Sequence, residues 1–421
     1  MAEPVCRIRA VYLDKEGKIG WIGDAAEAAG RYPEEMVKDY GEATILPGLF
    51  DMHVHFGYYY SQPDLDNYDD YMVAYYALEQ AKQSLRLGIT TVRDLSCPPN
   101  LMKQLRLAGQ KGYVTVPRII HADAGICMTG GHGHQDGVEE ADSPWGVRAA
   151  IRRQLRAGAD WVKILTSNRG DIPEFTQEEL DAAVDGGRTA RGEESAVHSG
   201  TQPSIQMCID AGFDTIEHGT FLTEAQARQM AEKGIAWTPT ITAYTYLYEQ
   251  TKQMIEAGVD MDNPIAARAV HDQAFFQPAF EAYRDNFKKL YDTGVTVLAG
   301  SDMVLYKAPP LPIHQELGYM VDYGITPVEA VRTATYNAAS VLGIEKETGS
   351  LKEGLAGDLL VVKGDVSKNI RALDDVLEVY LAGKWCIRCK RYEKAVFFRS
   401  AGVFCFLRWE NQKENKNILK F

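Results

Sequence analysis

Between residues 45 and 303 one pattern repeats: an apolar, β-branched run, a polar loop, a helical pattern ending in glycine, then the next run. The runs are 45–55, 89–95, 118–122, 161–165, 195–198, 215–218, 235–241 and 295–299. Gly88, Gly112, Gly158, Gly192, Gly212, Gly234 and Gly294 precede the later runs, where a glycine can cap the helix before. Thr223 is placed to cap the helical pattern that follows it. Eight strands alternating with helices over about 250 residues is the size and rhythm of an α/β chain closed into a (β/α)8 TIM-like barrel. The alternative is an open doubly wound sheet, but no Gly-rich phosphate fingerprint follows any strand. The long interval 242–294 reads as extra helices forming a flap beside the barrel mouth.

Short strand-like pieces flank the barrel at 19–22, 359–363 and 376–381. They predict a small β-sandwich domain formed by both termini. The expected division is 1–48 plus 349–385 for that domain, 49–348 for the barrel, and 386–421 as a basic aromatic tail of unknown role.

The 421 residues are 45% hydrophobic and 24% charged, as in an ordinary soluble protein. The apolar runs fall far short of a membrane span, and the N-terminus lacks a signal-peptide pattern. Seven scattered cysteines without a framework spacing suit a reducing cytoplasm. Net charge is −13, unevenly spread: residues 384–421 hold ten Lys or Arg against three Glu, so this stretch is +7 and the remainder −20. An acidic body argues against nucleic acid as a partner. The tail, with Phe397, Phe398, Phe404, Phe406 and Trp409, could contact a partner or a membrane, or be a poorly ordered extension. Its pattern suits neither a clean helix nor a clean strand. Cys386-Ile-Arg-Cys389 lacks the second Cys or His pair that a zinc site needs.

The first apolar run ends in His53-Val54-His55. Residues two apart on a strand share a face, so both imidazoles aim at one point. Neutral imidazole is the commonest protein ligand for a divalent transition metal. Lys163 lies in the fourth run, His198 and His218 end the fifth and sixth, and Asp302 follows the eighth. Singly, each has a plain structural reading: a hydrogen-bonded strand-end histidine, a salt-bridge lysine, a turn aspartate. Active sites of such barrels lie at the C-terminal ends of the strands, and five strands would bring these six groups to one mouth. A lysine amine is cationic at neutral pH and cannot ligate a metal. Its carbon dioxide adduct, a carbamate, is a carboxylate-like anion that can bridge two cations, so Lys163 speaks for two metals.

These residues sit in strings that resemble the amidohydrolase superfamily, specifically the imidazolonepropionase-like branch with Xaa-Pro dipeptidases and Arg/Lys carboxypeptidases. The strings are Leu-Pro-Gly-Leu-Phe-Asp-Met-His-Val-His, Gly-Ile-Thr-Thr-Val-Arg-Asp, Thr-Gly-Gly-His-Gly, Gly-Ala-Asp-Trp-Val-Lys-Ile, Ile-Glu-His-Gly-Thr, Gly-Ser-Asp and Gly-Asp-Leu-Leu-Val-Val, across about residues 45–365. The resemblance implies that His53, His55 and Asp302 bind a first metal and His198 and His218 a second, with carboxylated Lys163 between them. Two divalent ions are expected, zinc foremost, and a homo-oligomer. The stretch after Lys163 departs from relatives, which usually carry Ser-Gly-Gly there, and His198 is followed by Ser199-Gly200. Both departures bear on substrate identity.

The expected reaction is amide C–N hydrolysis by a metal-activated hydroxide, with Asp302 taking the water's proton and returning it to the leaving nitrogen. In peptidase relatives the histidine and tyrosine matching His132 and Tyr244 contact the substrate carboxylate or the scissile carbonyl. Arg169 could pair with a carboxylate. Each of the three could instead be an ordinary surface loop residue, Arg169 more readily than His132 or Tyr244. Tyr58, Tyr59, Tyr60 and Tyr68 suggest an aromatic wall, while Tyr71, Tyr75 and Tyr76 read as packing one helix face. His121, His134 and His314 stay unassigned. The first reading is a dipeptidase, carboxypeptidase or N-acyl amino acid hydrolase. The second is a hydrolase of a cyclic amide, carbamate or xenobiotic amide. A third, of another class, is a non-catalytic binding module, against which the complete ligand set argues.

Overall fold

The computed structural model describes residues 9–33, 37–57, 69–134, 138–166, 173–258, 264–302, 312–388 and 404–407. Eight segments form the barrel. Seven are strands: Leu49–Val54, Ile89–Asp94, Arg118–His121, Trp161–Leu165, Glu194–Ser199, Thr215–His218 and Ala236–Thr238. The eighth, 295–299, touches the seventh through a single parallel bridge, Trp237 to Val297. Pairing is parallel from the first strand to the third and from the fourth to the seventh. Backbone bonds close the ring elsewhere. Asp160 N–H donates to His121 O at 2.8 Å, Leu298 N–H to Trp237 O at 2.8 Å and Met52 N–H to Ala299 O at 2.9 Å. The open-sheet alternative is thereby excluded, and the chain is an α/β barrel with a small sheet domain.

Barrel strands are covered on both faces, which is why they read as near-continuous apolar runs. All six residues of the first and of the second strand are buried. Helices Asp70–Arg86, Leu101–Gln110, Ser143–Ala157, Gln177–Arg191, Gln202–Ala211 and Glu224–Lys233 return the chain between strands. Thr223 caps the last of these, accepting from Gln226 N in a capping box. Helices Ile241–Glu256 and Pro264–Tyr291 fill the long interval before the eighth segment.

Two expected strands differ. The run 45–55 is two strands, because the chain turns at Gly48 and passes from one domain to the other. Ala43–Pro47 pairs antiparallel with Leu359–Lys363, whereas Leu49–Val54 enters the barrel. A Cβ on Gly48 would lie 2.2 Å from the Thr90 side chain, so only glycine fits this crossing. The seventh strand ends at Thr238 rather than 241, since Pro239 cannot continue the ladder and Thr240 takes a left-handed φ of 53°.

The small domain is a sandwich of two four-stranded sheets. One orders as Ile19–Asp24, Arg9–Leu13, Phe404–Leu407 and Val37–Asp39; the other as Lys384–Arg388, Val376–Leu381, Leu359–Lys363 and Ala43–Pro47. Val11, Leu13 and Ile19 of one pack against Ile45, Leu359, Val361 and Tyr380 of the other. Strand Lys384–Arg388 runs across the expected 385/386 boundary. Four tail residues, Phe404–Leu407, pair as a strand parallel to Arg9–Leu13, where no strand was expected. Cys386 lies in Lys384–Arg388, and Cys389 falls outside the described residues. No helix among the described residues is long and apolar enough to cross a membrane.

Candidate metal centre

The C-terminal mouth gathers the titratable side chains. His53, His55 and Asp302 each offer a ligand atom within 4.8 Å of the others. The two Nε2 atoms are 3.1 Å apart, and Asp302 Oδ1 lies 3.3 Å from that of His55 and 3.6 Å from that of His53. The His218 ring is 5.0 Å from that of His53 and 4.3 Å from that of His198. His132 stacks on His198 at 4.2 Å, and the Tyr244 ring is 5.6 Å from His218. Lys163 is fully buried in the fourth strand. Arg169 and the tyrosines 58–60 and 68 fall outside the described residues. Tyr71 and Tyr75 do not pack a helix face as expected: they are 76% and 67% exposed.

Three imidazoles have their tautomers set from behind. His55 Nδ1–H donates to Ser96 O at 2.9 Å, and His53 Nδ1–H to Glu217 Oε2 at 2.8 Å. Thr240 Oγ1 donates to Pro239 O at 2.7 Å, so its lone pair accepts from His218 Nδ1–H, also at 2.7 Å. In each ring Nε2 is left as the lone-pair nitrogen, as metal-ligating histidines require. Burial pushes the pKa of His53 and His198 well down and that of His218 to about 3, keeping the rings in the neutral, ligating form. Burial acts to raise Asp302, but the imidazoles of His53, His55 and His218 outweigh it and hold the carboxyl far below its usual range.

Among the described residues, Lys163 Nζ and His198 Nε2 are buried at this mouth without a hydrogen-bond partner. Buried polar atoms without partners cost free energy, and such exceptions ask for an explanation. Divalent cations answer for both, provided the amine is carboxylated. Burial, opposed by Glu217 and Asp302, brings the Lys163 amine down to about 8, so an appreciable neutral fraction exists near neutral pH to react with carbon dioxide. The donor set thus fits a metal centre. Backbone strain concentrates here too: His218, Thr240 and Asp302 have φ of 67°, 53° and 53°.

The Amidohydrolase family matches residues 44–386. The chain belongs to the amidohydrolase family. The amidohydrolase is 28% identical to an ochratoxinase from Aspergillus niger over 91% of this chain and 83% of that protein. An imidazolonepropionase from Geobacillus sp. (strain WCH70) is 24% identical over 82% of each. Among solved structures, a Xaa-Pro dipeptidase with methionine bound in its active site superposes with a TM-score of 0.76 at 30% identity, covering 88% of this chain and 93% of that one. Family membership makes the chain a hydrolase acting on amide bonds, of a kind typically dependent on metal, with a His-His-Asp group able to bind one.

Several residues that shape the amidohydrolase site were not singled out by sequence. Asp51 accepts from Ser301 N at 2.9 Å and from Ser301 Oγ at 2.5 Å, pinning the residue before Asp302 to the first strand. Asp94 accepts from Phe56 N at 2.7 Å and Ser96 N at 3.2 Å, bracing both neighbours of the His55 contact. Glu316 accepts from Ile241 N, Thr242 N and Thr242 Oγ1 at 3.0, 2.7 and 2.7 Å, anchoring the helix that carries Tyr244. Glu174 accepts from His132 N at 2.9 Å. The available signal was a charge inside an apolar run, since Asp, Glu, Lys and Arg are almost never fully buried unless paired.

Gly300 tests how closely this mouth is packed. A Cβ there would lie 2.5 Å from Thr238 Cγ2 and 2.8 Å from His53 Cβ. Gly300→Ala should cost about 1–3 kcal/mol of stability, as overpacking does, and lower metal content by displacing His53. Thermal unfolding and elemental analysis check this. A variant with wild-type values of both would show that the mouth has slack.

Proposed function

We propose that this chain is a binuclear metal-dependent peptidase acting on dipeptides or short N-acyl amino acids. The observation that carries the reading is the pair of orphaned atoms, Lys163 Nζ and His198 Nε2, beside the His53, His55 and Asp302 cluster. His53, His55 and Asp302 would hold one ion, His198 and His218 the other, and carboxylated Lys163 both. Bound divalent cations, zinc foremost, would polarise the scissile carbonyl and lower the pKa of water. Asp302, anionic at neutral pH, takes a proton from the attacking water. A C–O bond forms at the carbonyl carbon, the C–N bond breaks, and the same carboxyl delivers its proton to the departing nitrogen. His132 and Tyr244 stand beside His198 and His218, where their polar ends can meet a substrate carboxylate or carbonyl. The 30% identity to a Xaa-Pro dipeptidase supports a peptide.

The relative named for ochratoxin, not for a peptide, favours a second reading in which the same centre cleaves a non-peptide amide. Comparing a dipeptide with its C-terminal amide separates the two. Charge-assisted hydrogen bonds are roughly twice as strong as neutral ones. Losing one such contact should cost about 1.5–3 kcal/mol, or roughly 10–150-fold in kcat/KM. The dipeptide should win by that margin, and His132→Ala and Tyr244→Phe should narrow the gap. Equal cleavage of both by the wild type, or turnover of an aryl amide with no dipeptide cleaved, would establish the second reading instead.

A further inference from the structure

The polar groups behind the three oriented imidazoles are not alike. The carbonyl of Ser96 can only accept, and Thr240 Oγ1 has already spent its proton on Pro239 O. Either fixes its histidine unaided. His53 instead leans on Glu217, a carboxylate buried inside the barrel without access to water. Glu217 is held in turn by Arg93, equally buried: Arg93 Nη2 donates to Glu217 Oε1 at 2.8 Å, as does Thr215 Oγ1 at 2.5 Å. Arg93 also donates from Nε to Met52 O at 2.8 Å, and its guanidinium lies over the Trp161 ring at 4.5 Å. It thereby links the first strand with the fourth and sixth. Replacing a buried ion pair by hydrophobic residues of similar volume is often neutral or stabilising, so stability alone is a weak reason for two charges in the barrel interior.

We propose that Glu217 is a positioning residue for the metal centre, and that Arg93 makes it work by claiming one carboxylate oxygen, leaving the other to hold the proton of His53 on Nδ1. The inference rests on the metal-centre reading above. It makes a specific claim about Glu217→Gln. Arg93 and Thr215 both donate to the near oxygen, so the amide must present its oxygen to them and its NH2 to His53. The ring can then only accept at Nδ1, and its proton moves to Nε2, the nitrogen aimed at Asp302 and His55.

Two double variants isolate this effect from stability. Arg93→Met with Glu217→Gln removes both charges, and the freed amide can turn its oxygen to His53. Arg93→Met with Glu217→Met removes both charges and leaves no acceptor. Both should fold, as circular dichroism reads, while metal affinity, measured by chelator competition, should differ. The Gln double variant should stay within several-fold of wild type. The Met double variant should bind its first metal 10–100-fold more weakly, the range for loss of a group that orients a ligating histidine, and its cobalt(II) form should show a changed visible spectrum. Glu217→Gln alone should resemble the Met double variant. Equal affinities and spectra for the two double variants would overturn the proposal and leave Arg93 and Glu217 a structural pair. A wild-type chain that takes up no metal would overturn the metal-centre reading itself, a distinct result.

Discussion

Asp302→Asn should fold and lose turnover by more than the roughly 10²–10⁴-fold assigned to acid–base catalysis alone. Two roles fail together. The amide cannot carry a proton between water and leaving nitrogen, and it is a poorer ligand beside His53 and His55, whose Nε2 atoms lie 3.6 and 3.3 Å from Asp302 Oδ1. The fold should survive because Asp302 is tied in by its backbone, through its N–H to His53 O at 2.7 Å, and its side chain is 17% exposed. Steady-state kinetics across pH, with circular dichroism as the control for folding, read the outcome. An active variant with an unchanged pH profile removes Asp302 from the proton path.

Lys163→Ala should match it in loss of activity but differ in metal content. Wild type should carry close to two ions per chain after zinc-supplemented expression, and the variant close to one. The mutation leaves a cavity where a fully buried side chain stood, close enough to His53, His198, His218 and Asp302 to interact with them electrostatically. Acetate or propionate, each offering the carboxylate that the carbamate would supply, should restore part of both activity and metal. Elemental analysis with and without the acid measures this. Wild-type turnover and metal content in Lys163→Ala would make the lysine structural, and a wild type limited to one ion would sink the binuclear mechanism.

The barrel was legible because its strands are apolar on both faces and its helices end in recognisable caps. The ligands were legible because a parallel barrel presents strand ends at one mouth, so position in the repeat stands for position in space. What stayed hidden was long-range or conformational. Arg93 and Glu217 are 124 residues apart, and neither position hints at the other. The left-handed turn at Thr240 that ends the seventh strand and catches His218 has no glycine to announce it. Tyr71 and Tyr75 share a helix face by spacing, but the buried stripe runs instead through Val73, Ala77, Gln80, Ala81 and Ser84. Two of those are polar. Gln80 is inside because its Oε1 accepts from Gly57 N at 2.8 Å, and Ser84 because its hydroxyl donates to Gln80 O at 3.0 Å. Hydropathy ranks both as surface residues.

The sandwich has a consequence for how the molecule is made. Ala43–Pro47 emerges first in synthesis, while its partner Leu359–Lys363 follows the whole barrel. Joining these strands in an open chain would close a loop of about 300 residues, an entropic cost that grows only slowly with length. The barrel shortens even that search. Once it closes, Gly48 and Asp358 are already neighbours, joined by Gly48 N–H to Asp358 O at 2.8 Å. Until then the first strands off the ribosome carry unpaired edges, which invite pairing with another chain. The segment that delivers His53 and His55 to the barrel thus carries an edge that stays open until the barrel is complete.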